Sequence, residues 1–153
     1  SKGYISQLER DLSSPSMETF FDILEVLGVT PAEFFKQKTG DQKIVYKDED
    51  TTFYSDEEHG YHIKWLIPES NEKEMEPILL TLDKEGQYKQ FTPSLSETFI
   101  YVLKGKVALQ FGETLYEAEK GESIYYEASK PHRLQNQANG VSKVLIVATE
   151  SYL

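Results

Sequence analysis

Three histidines and no cysteine are present in 153 residues. Without cysteine there are no disulfides, no thiolate metal sites and no thiol nucleophile. His59 stands in an acidic loop beside Gly60, and His62 lies on the polar parity of its strand, so both are expected in solvent. The third histidine is His132. Thr92, Ser94 and Thr98 share strand parity with Ile100 and Val102. Neutral hydroxyls and one imidazole can hydrogen-bond a small organic molecule. They are a poor ligand set for a divalent metal. Glu97 does not repair that set, because a one-residue shift turns it to the other strand face.

The elements that must position these groups change character near residue 40. Over residues 1–38 the spacing predicts helices. Ile5, Leu8 and Leu12 recur at three- and four-residue intervals, and Ser13-Ser14-Pro15-Ser16 interrupts them. Ser16 is an N-cap for a second helix with Phe20, Leu24 and Leu27 on one face, and Gly28 is its C-cap signal. Thr30-Pro31 caps and starts a third short helix with Glu33 in its first turn. Lys36 to Asp50 reads as a linker.

From Ile44 onward short strand-like runs follow, punctuated by Gly or Pro at Gly86, Pro93, Gly105, Gly112, Gly121, Pro131 and Gly140. Ile78 to Leu82 reads as a short buried run. The spacing predicts an all-β sandwich or barrel. Hydrophobic residues make up 39% of the chain, enough for a core, and no run approaches a membrane span. The formal charge is −10, split as −2 over residues 1–40 and −8 over 41–153. These numbers do not support a generic basic nucleic-acid patch, and any DNA contact has to be local and specific.

Residues 86–136 resemble a cupin, the small double-stranded β-helix or jelly-roll barrel. Gly86, five residues, Thr92-x-Ser94, three residues, Thr98, six residues and Gly105 follow the first cupin motif, with hydroxyls where it has two histidines and a glutamate. Gly121-Glu122-Ser123, Lys130-Pro131 and His132-x-x-x-Asn136 follow the second. The resemblance implies a mainly β fold, a C-terminal cupin preceded by the α-helical remnant of a helix-turn-helix domain. It also implies that Thr92, Ser94 and Thr98 point inward toward His132. The result is either a small-molecule pocket formed with Asn136, Trp65 and Tyr101, or a barrel filled by its own side chains. No metal or cofactor is expected.

Residues 1–38 are similar to the later half of a lambda-repressor-like helix-turn-helix domain, whose first two helices are absent from this sequence. Ser1 to Arg10 corresponds to the recognition helix. That resemblance makes Ser1, Lys2, Tyr4, Ser6, Gln7 and Ser14 the candidate DNA contacts. Gln can read adenine, Lys guanine or phosphate, and Ser phosphate. The combination resembles a bacterial transcriptional regulator of the Xre family with a cupin sensor domain. The implied partners are double-stranded DNA, bound by the complete protein, an unidentified small-molecule effector and a second copy in a homodimer. The expected location is the cytoplasm, with no membrane contact. The domains expected are 1–38, a linker 39–50 and a barrel 51–153. The competing reading is a cupin enzyme, an isomerase or dioxygenase, with an accessory helical segment.

Overall fold

The computed structural model describes residues 2–10, 14–35, 42–150 and 152–153, with the backbone alone at Asn71. The chain divides into two compact units, residues 1–44 and 45–153.

In the first unit α1 spans Lys2–Glu9, α2 Met17–Val26 and α3 Pro31–Phe35. Helices this short need caps and packing to persist in water. The Ser16 hydroxyl accepts from the Thr19 amide at 3.1 Å, holding the first turn of α2. The other end closes in a Schellman motif. Gly28 turns with φ 68°, its amide donates to Glu25 O, and the Val29 amide donates to Leu24 O. Thr30 and Glu33 form a reciprocal capping box. The Thr30 amide donates to Glu33 Oε2 at 2.9 Å, and the Glu33 amide to Thr30 Oγ1 at 3.2 Å. That bond from the Thr30 amide holds the Glu33 carboxyl below its ordinary range. Phe20 meets Phe34 edge-on at 5.1 Å and Phe35 at 5.7 Å, which packs α3 onto α2.

The second unit is an antiparallel two-sheet barrel. Its strands are β1 Thr52–Asp56, β2 Tyr61–Trp65, β3 Met75–Leu82, β4 Glu97–Lys104, β5 Lys106–Phe111, β6 Thr114–Glu119, β7 Ser123–Glu127, β8 His132–Asn136 and β9 Ser142–Thr149. One sheet has the order β1-β2-β3-β9-β4-β7, the other β6-β5-β8. Their facing sides make the core. Ile63, Ile78, Leu80, Leu82, Ile100, Val102, Val144 and Ile146 come from the larger sheet, and Val107, Leu109, Ala118 and Leu134 from the smaller. These side chains recur at every second residue, so alternation alone sends them inward.

Two expectations need correction, and two strands went unmarked. The run Ile78 to Leu82 is not buried throughout: Leu79 and Thr81 are half-buried on the outer face. Ile44 and Val45 are exposed, and the first strand begins at Thr52. β1 and β6 carry no clean apolar alternation, which is why the sequence did not mark them as strands.

Two motif glycines have steric reasons. A Cβ at Gly86 would lie 2.2 Å from Gly60 O and 2.9 Å from both the amide and carbonyl of Asp83, all main-chain atoms. Gly105 turns with φ 81° between β4 and β5, and a Cβ there would lie 2.2 Å from Ser142 Oγ.

Candidate functional site

His132 opens β8 and points into the barrel, 2% exposed. Its Nδ1 lies 2.9 Å from Lys130 O. A carbonyl only accepts, so Nδ1 carries the proton and Nε2 presents its lone pair to the interior. Phe91 stacks on the imidazole at 5.2 Å and 17°, and Tyr126 meets it edge-on at 5.1 Å. Burial among these rings pushes the imidazole below its usual range, against a smaller opposing pull from the Lys130 carbonyl.

The group facing that lone pair is Tyr152. Its hydroxyl lies 3.4 Å from His132 Nε2 and is hydrogen-bonded to Thr98 Oγ1. Its ring meets Phe91 edge-on at 5.0 Å. Thr98 is fully buried, as parity with Ile100 predicted. Burial raises the Tyr126 and Tyr152 hydroxyls above the usual phenol range. The chain from Lys130 O through His132 to Tyr152 and Thr98 is therefore neutral at physiological pH. It can recognise a hydroxyl; it offers no charged acid or base.

The other residues expected in this pocket stand elsewhere. Thr92 is exposed and Ser94 half-buried. The chain between Phe91 and Ser96 is irregular, so parity counted back from Thr98 stops at Ser96. Phe91 takes the inward position, and Ser94 Oγ accepts from the Ser96 amide at 3.3 Å. Tyr101 is 36% exposed, since its neighbours Ile100 and Val102 both face the core. Trp65 is half-buried against the core, and its Nε1–H donates to the buried Glu76 at 3.2 Å. Asn136 is buried, but its amide is committed to the main chain. Nδ2 donates to Asp83 O and Gly140 O, both at 2.7 Å, and to Leu82 O at 3.2 Å. Oδ1 accepts from the Ala138 amide at 2.8 Å and Ser142 Oγ at 2.7 Å. It is a clamp, not a ligand contact.

Several interior residues were not foreseen. Tyr126 shares parity with Ile124, and Glu76 with Ile78, so both were legible by alternation. Tyr152 follows the last strand and has no periodic signal. Tyr88 is 2% exposed, and among the described residues its hydroxyl has no hydrogen-bond partner. A cleft of about 420 Å³ opens between the smaller sheet and β7, lined by Leu109, Phe111, Tyr116, Ile124 and Tyr126 among others. Phe111 and Tyr126 are shared with the surroundings of His132.

On the outer face His62 is half-buried rather than exposed. Its Nδ1 lies 2.9 Å from Ser55 Oγ and its Nε2 3.0 Å from Asp83 Oδ2. His59 is solvated as expected, paired with Asp56 at 2.9 Å, and the amide of His59 lowers the Asp56 carboxyl.

In the helical unit Lys2, Gln7 and Ser14 are exposed, while Tyr4 and Ser6 are half-buried. Tyr4 and Leu8 stand four apart, so Tyr4 shares the partly packed side of α1 rather than its open side. Ser1 lies outside the described residues.

Family comparisons agree with both units. The helix-turn-helix model matches residues 1–34 and the cupin domain model residues 81–148. The chain thus joins a segment that matches helix-turn-helix domains to one that matches cupin domains, a combination similar to that of helix-turn-helix transcriptional regulators with a cupin. It is similar to the HTH-type transcriptional regulator PuuR of Escherichia coli (strain K12), 22% identical over 147 residues, 95% of this chain and 78% of PuuR. Among solved structures it resembles an HTH_3 family transcriptional regulator from Vibrio cholerae, with TM-score 0.55, 22% identity, and coverage of 97% and 80% of the two chains. FeII HppE also shares the fold, with TM-score 0.62, 16% identity, and coverage of 87% and 76%.

Cupins that bind iron or manganese do so with imidazoles and a carboxylate. The side chains around His132 do not fit such an ion. They offer one imidazole lone pair and the hydroxyls of Thr98 and Tyr152, whose phenol is held protonated by burial. Among the described residues no three His, Cys, Asp or Glu side chains gather at one point. No described helix is long and apolar enough to cross a membrane.

Proposed function

We propose that this chain is the regulatory part of a cytoplasmic, homodimeric DNA-binding transcriptional regulator. Its cupin binds a small uncharged effector at the neutral His132–Thr98 cluster. The observation that carries the reading is the joining of a helix-turn-helix segment to a barrel whose interior presents hydrogen-bonding groups without a metal set. Lys2, Ser6, Gln7 and Ser14 remain the DNA contacts, with Ser1 and Tyr4 as the remaining candidates. Coupling requires only that the effector prefer one dimer arrangement and so alter half-site spacing. A tenfold preference is about 1.4 kcal/mol, within the range of one or two hydrogen bonds in a dry site.

The test is selection of genomic DNA fragments by the full-length protein, followed by affinity measurements across salt concentrations. Enrichment of a defined operator, weakened by salt and by Gln7→Ala, is expected. Absence of any sequence preference refutes the reading. The domain limits 1–38, 39–50 and 51–153 serve as the boundaries for separating the two activities.

A further inference from the structure

The barrel already holds a ligand-like group, and it belongs to the chain itself. The geometry points to Tyr152 as an internal stand-in for the effector, and to a small phenol as the molecule that displaces it. This inference rests on the effector-sensing reading above.

Three observations carry it. First, Tyr152 occupies the position a bound molecule would take. Its hydroxyl sits between Thr98 Oγ1 and His132 Nε2, and its ring packs edge-on against Phe91 at 5.0 Å. The surroundings are thus complementary to a phenol: a ring that meets Phe91 and His132 edge-on, and one hydroxyl that donates to imidazole and exchanges a hydrogen bond with threonine. Second, the residue is held by its side chain. β9 ends at Thr149, Glu150 turns with φ 54°, and among the described residues no backbone hydrogen bond ties Tyr152 or Leu153 to the barrel. A left-handed glutamate is a conformation that tertiary contacts must enforce, and it relaxes once Tyr152 leaves. Third, the interior keeps a hydrogen-bonding position that Tyr152 does not fill. Tyr88 is 2% exposed, and among the described residues its hydroxyl has no partner. Buried polar groups are normally paired, so this one marks a place for a polar atom on an incoming molecule.

The cleft of about 420 Å³ beside Phe111 and Tyr126 provides space next to the cluster. A free phenol must compete with Tyr152, and the apparent dissociation constant is the intrinsic one divided by the fraction of chains with Tyr152 withdrawn.

The experiment is calorimetric titration of the full-length protein with p-cresol, the free form of the tyrosine side chain. Tyr152→Ala should bind p-cresol at least about tenfold tighter than wild type, which corresponds to Tyr152 seated in at least about nine-tenths of molecules. Tyr152→Phe keeps the ring and the packing but loses the hydroxyl bond, and should fall between the two. It also serves as the readout if the alanine variant does not fold. Adding Thr98→Val to either variant should cost about tenfold in affinity. Equal affinities for wild type and the Tyr152 variants, indifference to Thr98→Val, or no binding at all would each overturn the inference. Operator affinity distinguishes it from the broader reading. If another metabolite shifts operator binding while p-cresol does not bind, sensing stands and the phenol site falls. If p-cresol binds as expected and operator affinity does not respond, the site stands and sensing through it falls.

Discussion

Replacing Asn136 by alanine should unfold the barrel at markedly lower denaturant without acting through any ligand. The side chain holds three segments at once. Nδ2 donates to Asp83 O and Gly140 O at 2.7 Å each, and Oδ1 accepts from the Ala138 amide and Ser142 Oγ. Alanine removes these four short bonds, and Ser142, which is fully buried, keeps only its bonds with Lys106. Each net bond contributes about 1 kcal/mol, and water reaching the partly exposed loop ends recovers some of it, so a loss of about 3 kcal/mol is expected. For a domain of this size that lowers the urea midpoint by about 2 M at unchanged slope. The single tryptophan, Trp65, is half-buried against the core and reports the transition by fluorescence. Asn136→Asp is the sharper variant. It keeps the acceptor but places a carboxylate against three carbonyl oxygens, so it should be less stable than the alanine at pH 7 and approach it as the pH falls and the carboxylate protonates. A loss below about 1 kcal/mol for alanine, with the aspartate variant equal to it at every pH, refutes the clamp.

Gly86→Ala should cost about 3 kcal/mol, because the new Cβ meets the main chain of Gly60 and Asp83 at 2.2 to 2.9 Å and neither turn can yield; a urea midpoint near wild type would refute the close approach. Tyr88→Phe removes a buried hydroxyl that has no partner among the described residues, so stability should hold or rise by up to about 1 kcal/mol, and a loss of that size in the same melt would refute the unpaired hydroxyl. Burial depresses the His132 imidazole, so the unfolded chain takes up that proton first as pH falls through about 6.5. This contribution is full above that value and is lost below it. Urea midpoints should therefore decline from pH 7.5 to 5.5, less steeply in His132→Gln; an unchanged slope in the variant assigns the decline to other groups. Protein purified without chelator should carry less than about a tenth of an equivalent of iron, manganese, nickel or zinc by elemental mass spectrometry, and near-stoichiometric metal would refute the reading of the donor set.

Much of the fold was legible in the sequence because it rests on short-range rules. Ser16, Gly28 and Thr30-x-x-Glu33 set helix ends through bonds to residues three to five positions away. Alternation set Ile100 and Val102 on one face with Thr98, and all three are buried, while the glycine and proline punctuation separated strands. The inward directions of Thr98 and His132 followed from the same parity once the cupin resemblance supplied the orientation. Parity failed where the strand did. Between Phe91 and Ser96 the backbone is irregular, so Thr92 turned out to solvent. Tyr101 shows the opposite case: its parity was readable, and it pointed outward all along.

The sequence by itself determined the change from helices to short strands, the caps that end the helices, and the shortage of metal-ligating side chains around His132. Only the tertiary structure decided what the barrel does with that imidazole. The bonds of Asn136 to Leu82 and Asp83 span more than fifty positions, and so does the hydrogen bond of Tyr152 to Thr98. No local period encodes a partner that far away. Whether a buried amide clamps loops or meets a ligand, and whether a barrel stands open or holds its own tyrosine, depends on which distant groups folding brings within 3 Å or so.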